Sequence, residues 1–251
     1  MGRRLGQHFL KPSGVDRLLN VIAPRPDESF LEIGAGGGAL TLPLASRVKD
    51  LVAVEIDPRL AARLRERGIP NLQVVEGDAL TVPLEIPSGT RLVGNLPYYI
   101  SSPILRRLLE HRERIRDIHA MLQAEVAERI AAPPGSRSYG ILSVLFGLWA
   151  EIDIPLRFPP RFFVPPPRVS SALLRIKFLP EPRAPISSPE AFAELVVRAF
   201  GRRRRTLENN LEDSYPNLKE HLKLLHIAGI RRAETLSVVE FAALSRALVL
   251  D

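Results

Sequence analysis

Cysteine is absent from this chain of 251 residues. Its absence excludes disulfide bonds, thiolate metal ligands and cysteine nucleophiles. Long apolar runs are absent too, since none approaches the ~20 residues that a membrane-spanning helix requires. The first residues, from Met1 to His8, also lack the apolar core of a secretory signal. We therefore expect a cytoplasmic protein that has no membrane partner.

Lysine is scarce, and arginine supplies most of the positive charge. The chain has 35 Lys+Arg against 28 Asp+Glu, which gives a formal net charge of +7, and five of the 35 are lysine. The arginine fork binds phosphate oxygens in pairs, so the excess suggests a polyanionic partner. Genome composition or adaptation to heat explains an overall excess equally well. A more specific signal comes from four consecutive arginines that cannot all find acidic partners on one helical turn: Arg202, Arg203, Arg204 and Arg205.

Short aliphatic runs alternate with amphipathic stretches in the first part of the chain. The strand candidates are 29–33, 51–56, 72–75, 91–93 and 115–122. This alternation predicts an α/β fold with a parallel, doubly wound sheet, in which ligands bind at the carboxyl ends of the strands. Two further strands, 151–158 and 171–178, have no helical pattern between them, and we expect an antiparallel pair that closes the sheet.

A proline-rich segment at 179–185 separates this region from a helical one. Helical periodicity is present at 188–200, 202–211, 217–228 and 237–248. We therefore predict two domains, an α/β domain over residues 1–180 and a small all-helical domain over residues 181–251.

Glycine and acidic residues follow the first three predicted strands. Gly34 and Gly36 belong to a glycine-rich turn that lets the backbone approach a ligand closely. Glu55 ends the second strand, where a carboxylate binds ribose hydroxyls, and Asp78 follows the third, where a carboxylate can accept from an adenine amino group. Together they predict a nucleoside ligand. The glycines also fit a dinucleotide fingerprint, so an NAD oxidoreductase is an alternative, although the chain shows no hydride-transfer site.

The tetrapeptide Asn95-Leu96-Pro97-Tyr98 follows the fourth strand and narrows the chemistry. It is the Asn-Leu-Pro-Tyr form of the amino-methyltransferase motif. Together with segments 6–10, 77–79 and 163–171 and the glycine turn, it makes the chain resemble the ribosomal RNA adenine N6,N6-dimethyltransferases almost from end to end. The resemblance implies a Rossmann-like class I S-adenosylmethionine-dependent methyltransferase sheet with a C-terminal all-helical domain that binds RNA through the four arginines.

The resemblance also implies S-adenosylmethionine as methyl donor, no metal, and small-subunit (16S) rRNA, in a precursor of the small ribosomal subunit, as partner. The expected reaction is dimethylation of N6 on two adjacent adenosines near the 3′ end of that RNA. Many relatives have asparagine where this chain has His8 and Tyr99. The residues expected to bind the donor are Gln7, His8, Leu10, Gly34, Gly36, Glu55, Asp78, Ala79 and Asn95.

The tetrapeptide and Phe163 are expected to hold the target adenine. The lone pair of adenine N6 is delocalised into the ring, so this nitrogen is a poor nucleophile. The Asn95 carboxamide oxygen and the Leu96 main-chain carbonyl can accept hydrogen bonds from the amino group and let the nitrogen aim its lone pair at the sulfonium methyl. Beyond Pro97, Tyr98 is expected to stack on the adenine and Phe163 to cover its other face. Leu96 is expected to shape the space for the first methyl group.

Two other functions are compatible with the same motifs. One is the large-subunit (23S) rRNA adenine N6-methyltransferase that confers antibiotic resistance, although residues 139–140 and 163–171 look more like the small-subunit branch. The other is a non-catalytic factor for ribosome assembly or transcription on a methyltransferase scaffold, which the intact tetrapeptide argues against. We expect the protein to be a monomer.

Overall fold

The chain is described by a computed structural model that covers residues 8–96 and 100–249. Its strands are β1 (Phe9–Leu10), β2 (Ser29–Ile33), β3 (Asp50–Glu55), β4 (Leu72–Glu76), β5 (Thr90–Asn95), β6 (Ile115–Gln123), β7 (Ala150–Phe158), β8 (Phe163–Val164) and β9 (Ser171–Phe178). Its α-helices are α1 (Pro12–Ile22), α2 (Thr41–Ala45), α3 (Pro58–Arg65), α4 (Ser101–Glu110), α5 (Ala124–Ile130), α6 (Ile141–Trp149), α7 (Pro189–Ala199), α8 (Leu207–Leu211), α9 (Leu218–Leu224) and α10 (Val238–Val249).

The central sheet contains seven strands in the order β4-β3-β2-β5-β6-β9-β7. Neighbouring strands from β4 to β6 run parallel, and β9 runs antiparallel to β6. The parallel strands are apolar runs because helices cover both faces of such a sheet; in β2, for example, Phe30, Leu31 and Ile33 are all buried. The α/β class predicted from the sequence is confirmed.

A buried ion network lies where the parallel strands begin. The Arg91 guanidinium donates to Glu28 at 2.8 Å and to Asp117 at 2.9 Å, and all three residues are buried. It also donates to the main-chain oxygen of Ile22 and lies 5.1 Å from the centre of the Phe30 ring. Burial raises the pKa of Asp117, but its hydrogen bonds with His119 and Arg91 outweigh that effect and leave the pKa below its usual range. The network ties β5 and β6 to the segment before β2.

The chain divides into two compact units. The first comprises residues 1–127 and 153–178, and the second comprises residues 128–152 and 179–251. Besides the C-terminal helices, the second unit therefore includes residues 128–152, which the sequence grouped with the first domain. In this unit the half-buried Phe200 ring stacks on the buried Phe241 ring and meets the buried Tyr139 ring edge-on.

Two searches of the described residues bear on ligands and membranes. None of the helices in those residues is both long enough and apolar enough to cross a lipid bilayer. Nor do three or more His, Asp or Glu side chains of the same residues come together as a set of metal ligands.

Candidate functional site

A cavity lies at the carboxyl ends of the parallel strands in the first unit. It is lined by residues that end or follow β2, β3, β4 and β5, among them Gly34, Glu55, Asp78 and Asn95. These residues are far apart in the sequence, and the parallel register brings them to one edge of the sheet. The cavity therefore gathers the motifs that the sequence predicted to act together.

The glycine turn after β2 forms one wall of the cavity. Gly34 and Gly36 have φ angles of 80° and 57°, a conformation that residues with a side chain rarely adopt. The Phe9 ring covers this turn so closely that a Cβ atom on Gly36 would lie 3.1 Å from it. The turn can thus take this shape, and accept Phe9 above it, because glycine occupies both positions.

The Glu55 carboxylate is fixed by main-chain donors. It is 3% exposed, and its two oxygens accept hydrogen bonds from Gly36 N at 2.6 Å and from Asp57 N at 2.9 Å. Each carboxylate oxygen has a further lone pair, so these bonds orient the group without exhausting its capacity to accept. On β4's side of the cavity, Asp78 Oδ1 accepts from Leu80 N at 2.9 Å.

The Asn95 side chain is held by His8, the residue directly before β1. Asn95 Nδ2 donates to the main-chain oxygen of His8 at 2.9 Å. Because a carbonyl oxygen only accepts, this bond fixes the nitrogen on the His8 side and leaves Oδ1 on the other. His8 Nδ1 in turn lies 2.8 Å from the Pro165 oxygen, and β1 pairs with β8 through Leu10 and Phe163. The carboxamide orientation thus depends on the pairing of β1.

Most of the residues predicted to bind the donor line this cavity. These are His8, Leu10, Gly34, Gly36, Glu55, Asp78, Ala79 and Asn95, and Leu96 joins them as a buried apolar side chain. Gln7, Pro97, Tyr98 and Tyr99 lie outside the described residues.

Phe163 is placed differently from the sequence prediction. Its ring is 1% exposed, belongs to the core cluster that includes Leu10 and Phe158, and is not among the residues that line the cavity. On the two-stranded β1–β8 ribbon, alternate residues face opposite sides, so Phe9 and Val164 are the exposed pair. In this conformation Phe163 supports the cavity wall through Leu10.

Glu32 is a cavity residue to which sequence reasoning assigned no role. It is 2% exposed, and its Oε2 atom has no hydrogen-bond partner among the described residues. Burial raises the pKa of Glu32 to about 7; the Thr41 hydroxyl opposes this shift and the charge of Glu55 adds to it. The available signal was a carboxylate within an apolar strand, two residues before the first glycine of the turn. A carboxylate is rarely buried without a function or a partner.

The cavity is acidic, although the chain carries net positive charge. Three carboxylates line it, and lysine and arginine are absent from the described lining residues. Carboxylates in a partly buried site favour a cationic ligand. These acceptor groups therefore fit a positively charged ligand that carries hydrogen-bond donors.

The four arginines predicted to bind RNA are exposed in the second unit. They occupy turns between α7 and α8, so the helix predicted to begin at residue 202 is wrong over 202–206. Thr206 caps α8 by accepting from Asn209 N, and the helix begins after it. Arg203 donates to the main-chain oxygens of Arg137 and Tyr139, so its guanidinium is partly engaged within the protein.

Comparisons with known proteins find relatives that match nearly the whole chain. The family model "Ribosomal RNA adenine dimethylase" matches residues 2–248. The chain is 45% identical over 252 residues to ribosomal RNA small subunit methyltransferase A of Leptothrix cholodnii, with 98% of this chain and 91% of the relative covered.

Two solved structures share the fold over nearly the whole chain. A dimethyladenosine transferase from Plasmodium falciparum superposes with a TM-score of 0.78 at 25% identity, covering 94% of this chain and 96% of that one. The 23S rRNA methyltransferase ErmE superposes with a TM-score of 0.74 at 29% identity, covering 96% and 99%.

Proposed function

The chain belongs to the ribosomal RNA adenine dimethylase family, and from that premise we propose that it transfers methyl groups from S-adenosylmethionine to N6 of two adjacent adenosines near the 3′ end of small-subunit (16S) rRNA. The observation that carries the proposal is the position of Asn95. Asn95 is the last residue of β5, and it lines the acidic cavity. Its side-chain nitrogen donates to the His8 main-chain oxygen, so the side-chain oxygen is left to accept from an exocyclic amine.

The donor would be held by the carboxylates and the glycine turn. Glu55 and Asp78 would accept hydrogen bonds from its ribose and adenine, and the turn at Gly34 and Gly36 lets the backbone approach it. When bound, the donor supplies a methyl group already activated on a positively charged sulfur. The negative charge of Glu55 and Glu32 favours this cation over the uncharged sulfur of the product, so the same carboxylates assist product release.

Asn95 and Leu96 would prepare the acceptor. Their oxygens accept from the adenine amino group, which draws the N6 lone pair out of conjugation and aims it at the methyl group. The proton leaves after the nitrogen has become cationic, so no strong base is required beforehand. Positioning supplies most of the acceleration, up to about 7–11 kcal/mol for well-aligned reactants.

The second transfer needs room for the first methyl group, and the buried Leu96 side chain would form the apolar wall beside it. Tyr98 would stack on the target adenine. Phe163 is packed in the core, so its contribution would be to hold Leu10 and β1 in place.

The RNA would be held by the exposed arginines Arg202, Arg204 and Arg205, with Arg203 shared between phosphate and main-chain carbonyls. Such contacts position RNA without reading its sequence. We propose that a cytoplasmic monomer acts on a precursor of the small ribosomal subunit, whose assembled shape selects the target.

The likeness to ErmE makes large-subunit rRNA a second candidate substrate. The higher identity to the small-subunit relative favours the first. The deciding experiment incubates the protein and radiolabelled S-adenosylmethionine with under-methylated small subunits, large subunits and naked rRNA, followed by nucleoside analysis. We expect label in dimethyladenosine from small subunits. Label confined to large subunits would favour the alternative, and donor binding without any transfer would favour a non-catalytic factor.

A further inference from the structure

An arginine from α4 clamps the loop that follows β4. Arg107 Nη1 donates to the main-chain oxygen of Ala79, and Nη2 donates to that of Val82, each at 2.5 Å. This loop carries Asp78 into the cavity. Helix α4 begins at Ser101, six residues after Asn95. The Arg107 side chain therefore connects the loop that carries Asp78, proposed to bind the methyl donor, with the helix that follows the Asn95–Tyr98 tetrapeptide.

The hydrogen bonds within the loop do not make this connection. The Asp78 main-chain oxygen accepts from Thr81 N and Val82 N, both at 2.9 Å, and Gly77 N donates to the Glu55 main-chain oxygen at 2.9 Å. These bonds shape the turn and join it to β3. They leave the Ala79 and Val82 oxygens directed at the guanidinium, which lies on the neighbouring helix.

Helix α4 is a firm anchor for the clamp. Ile104, Leu105 and Leu108 are fully buried on one face, and Ile104 also lines the cavity together with Ile100. Arg107 is half-buried beside that face. Its planar fork presents two N–H groups at a fixed separation, which a lysine ammonium cannot reproduce across two carbonyl oxygens.

We propose that Arg107 is a positioning residue that sets the Asp78 loop against α4 and so keeps the donor nucleoside in register with the target adenine. The inference rests on the proposed function, because it assigns the donor nucleoside to Asp78. Arg107 acts through Asp78 without touching either ligand. Its loss moves the loop, and a displacement of about 1 Å in such a site lowers the rate by roughly a hundredfold.

The first test measures the affinity for S-adenosylhomocysteine by calorimetry, which does not depend on turnover. We expect Arg107→Met to weaken binding about tenfold, since two charge-assisted hydrogen bonds on the loop are lost. Arg106→Met is the matched control for donor binding, because Arg106 is the adjacent, exposed arginine of the same helix, and we expect it to change the affinity less than about twofold.

A double-mutant cycle separates positioning from general destabilisation. If Arg107 acts through Asp78, Arg107→Met costs much less affinity in an Asp78→Asn background than in the native chain. Hydrogen exchange of the Leu80, Thr81 and Val82 amides should accelerate in Arg107→Met at temperatures where the rest of the chain stays protected. If Arg107→Met does not fold, the same cycle is run with Arg107→Lys, which keeps the charge and is expected to have intermediate affinity.

The outcomes distinguish this inference from the proposed function. Wild-type affinity in Arg107→Met or Arg107→Lys, together with weakened binding in Asp78→Asn, would overturn the clamp and leave the proposed donor site standing. Wild-type affinity in Asp78→Asn would overturn the donor assignment itself. Independent, multiplying effects of the two substitutions would also refute action through Asp78.

Discussion

The side-chain nitrogen of Asn95 donates to the main-chain oxygen of His8 across 2.9 Å. The residue proposed to hold the target amine is therefore oriented by a backbone group directly before β1, 87 positions away in the chain. That strand is in turn paired with β8 and covers the glycine turn through Phe9. The covering of the glycine turn and the orientation of the Asn95 carboxamide consequently both depend on the segment of β1 and the residue before it.

Replacing Asn95 tests this arrangement. Asn95→Asp replaces the N–H group that donates to the His8 oxygen and places a negative charge against that oxygen. Asn95→Ala removes both the side-chain nitrogen and the side-chain oxygen. We expect each variant still to bind the donor, and kcat to fall by about a hundredfold or more, the size seen when an oriented polar group is removed from a reacting centre. Single-turnover methylation and calorimetry give the two quantities. Undiminished transfer by Asn95→Ala would remove Asn95 from its role.

Glu32 predicts a pH dependence of stability. Its folded pKa of about 7 lies above the ordinary value of 4.5, so between these values the folded state holds a proton that the unfolded state has lost. The contribution of this proton to the free energy of unfolding is fully present below pH 4.5 and is lost as pH rises through 7. Glu32→Gln should remove this decline, so the variant gains up to about 3 kcal/mol relative to wild type between pH 4.5 and 8. Urea unfolding at several pH values measures it.

The same group predicts a pH dependence of donor binding. A cationic donor favours the ionised carboxylate, so donor affinity in the native chain should rise as pH passes through 7, and Glu32→Gln should flatten that rise. The exposed Glu66→Gln is the control. Parallel pH profiles for wild type and Glu32→Gln would show that Glu32 does not sense the donor.

We expect the Arg91 ion network to contribute to the free energy of unfolding and not to ligand binding. Arg91→Met leaves Glu28 and Asp117 buried with their shared cation removed, and we expect a loss of about 3–5 kcal/mol in the free energy of unfolding. Donor affinity should be unchanged under conditions where the variant is folded, since the network lies at the opposite ends of the strands. Arg63→Met, at an exposed position of α3, should cost less than about 0.5 kcal/mol. A comparably small loss for Arg91→Met would contradict the network's importance.

We expect the exposed arginines to differ in whether they contribute to RNA binding alone or also to the stability of the fold. Arg204→Ala and Arg205→Ala should each weaken binding to small-subunit rRNA and reduce the slope of log affinity against log salt by about 0.7–0.9. Arg203→Ala should also lower the free energy of unfolding, by roughly 0.5–1.5 kcal/mol, because hydrogen bonds to two main-chain oxygens are lost at a largely exposed site. Titrations at several salt concentrations and thermal melts measure the two effects. Equal melts for all three variants would show that the Arg203 contacts contribute nothing.

The sequence predicted the sheet, its strand candidates and the gathering of Gly34, Glu55, Asp78 and Asn95 at one edge. These predictions rest on local patterns, since hydrophobic periodicity marks strands and helices and the parallel register then places every strand end on the same side. Glu32 shows where that reasoning stopped. The sequence shows a glutamate close to the glycine turn, but the raised pKa of Glu32 depends on its burial by other elements of the fold.

What the sequence determined by itself is therefore the class of fold, the family and the motif residues that meet at the cavity, because each is carried by short motifs and their order along the chain. Only the tertiary structure decided that Phe163 is packed in the core, that Arg203 bonds to main-chain oxygens, that Arg107 clamps the Asp78 loop and that Asn95 is turned by His8. These four facts are contacts between residues distant in sequence, and packing and hydrogen-bond geometry arise when the chain has folded.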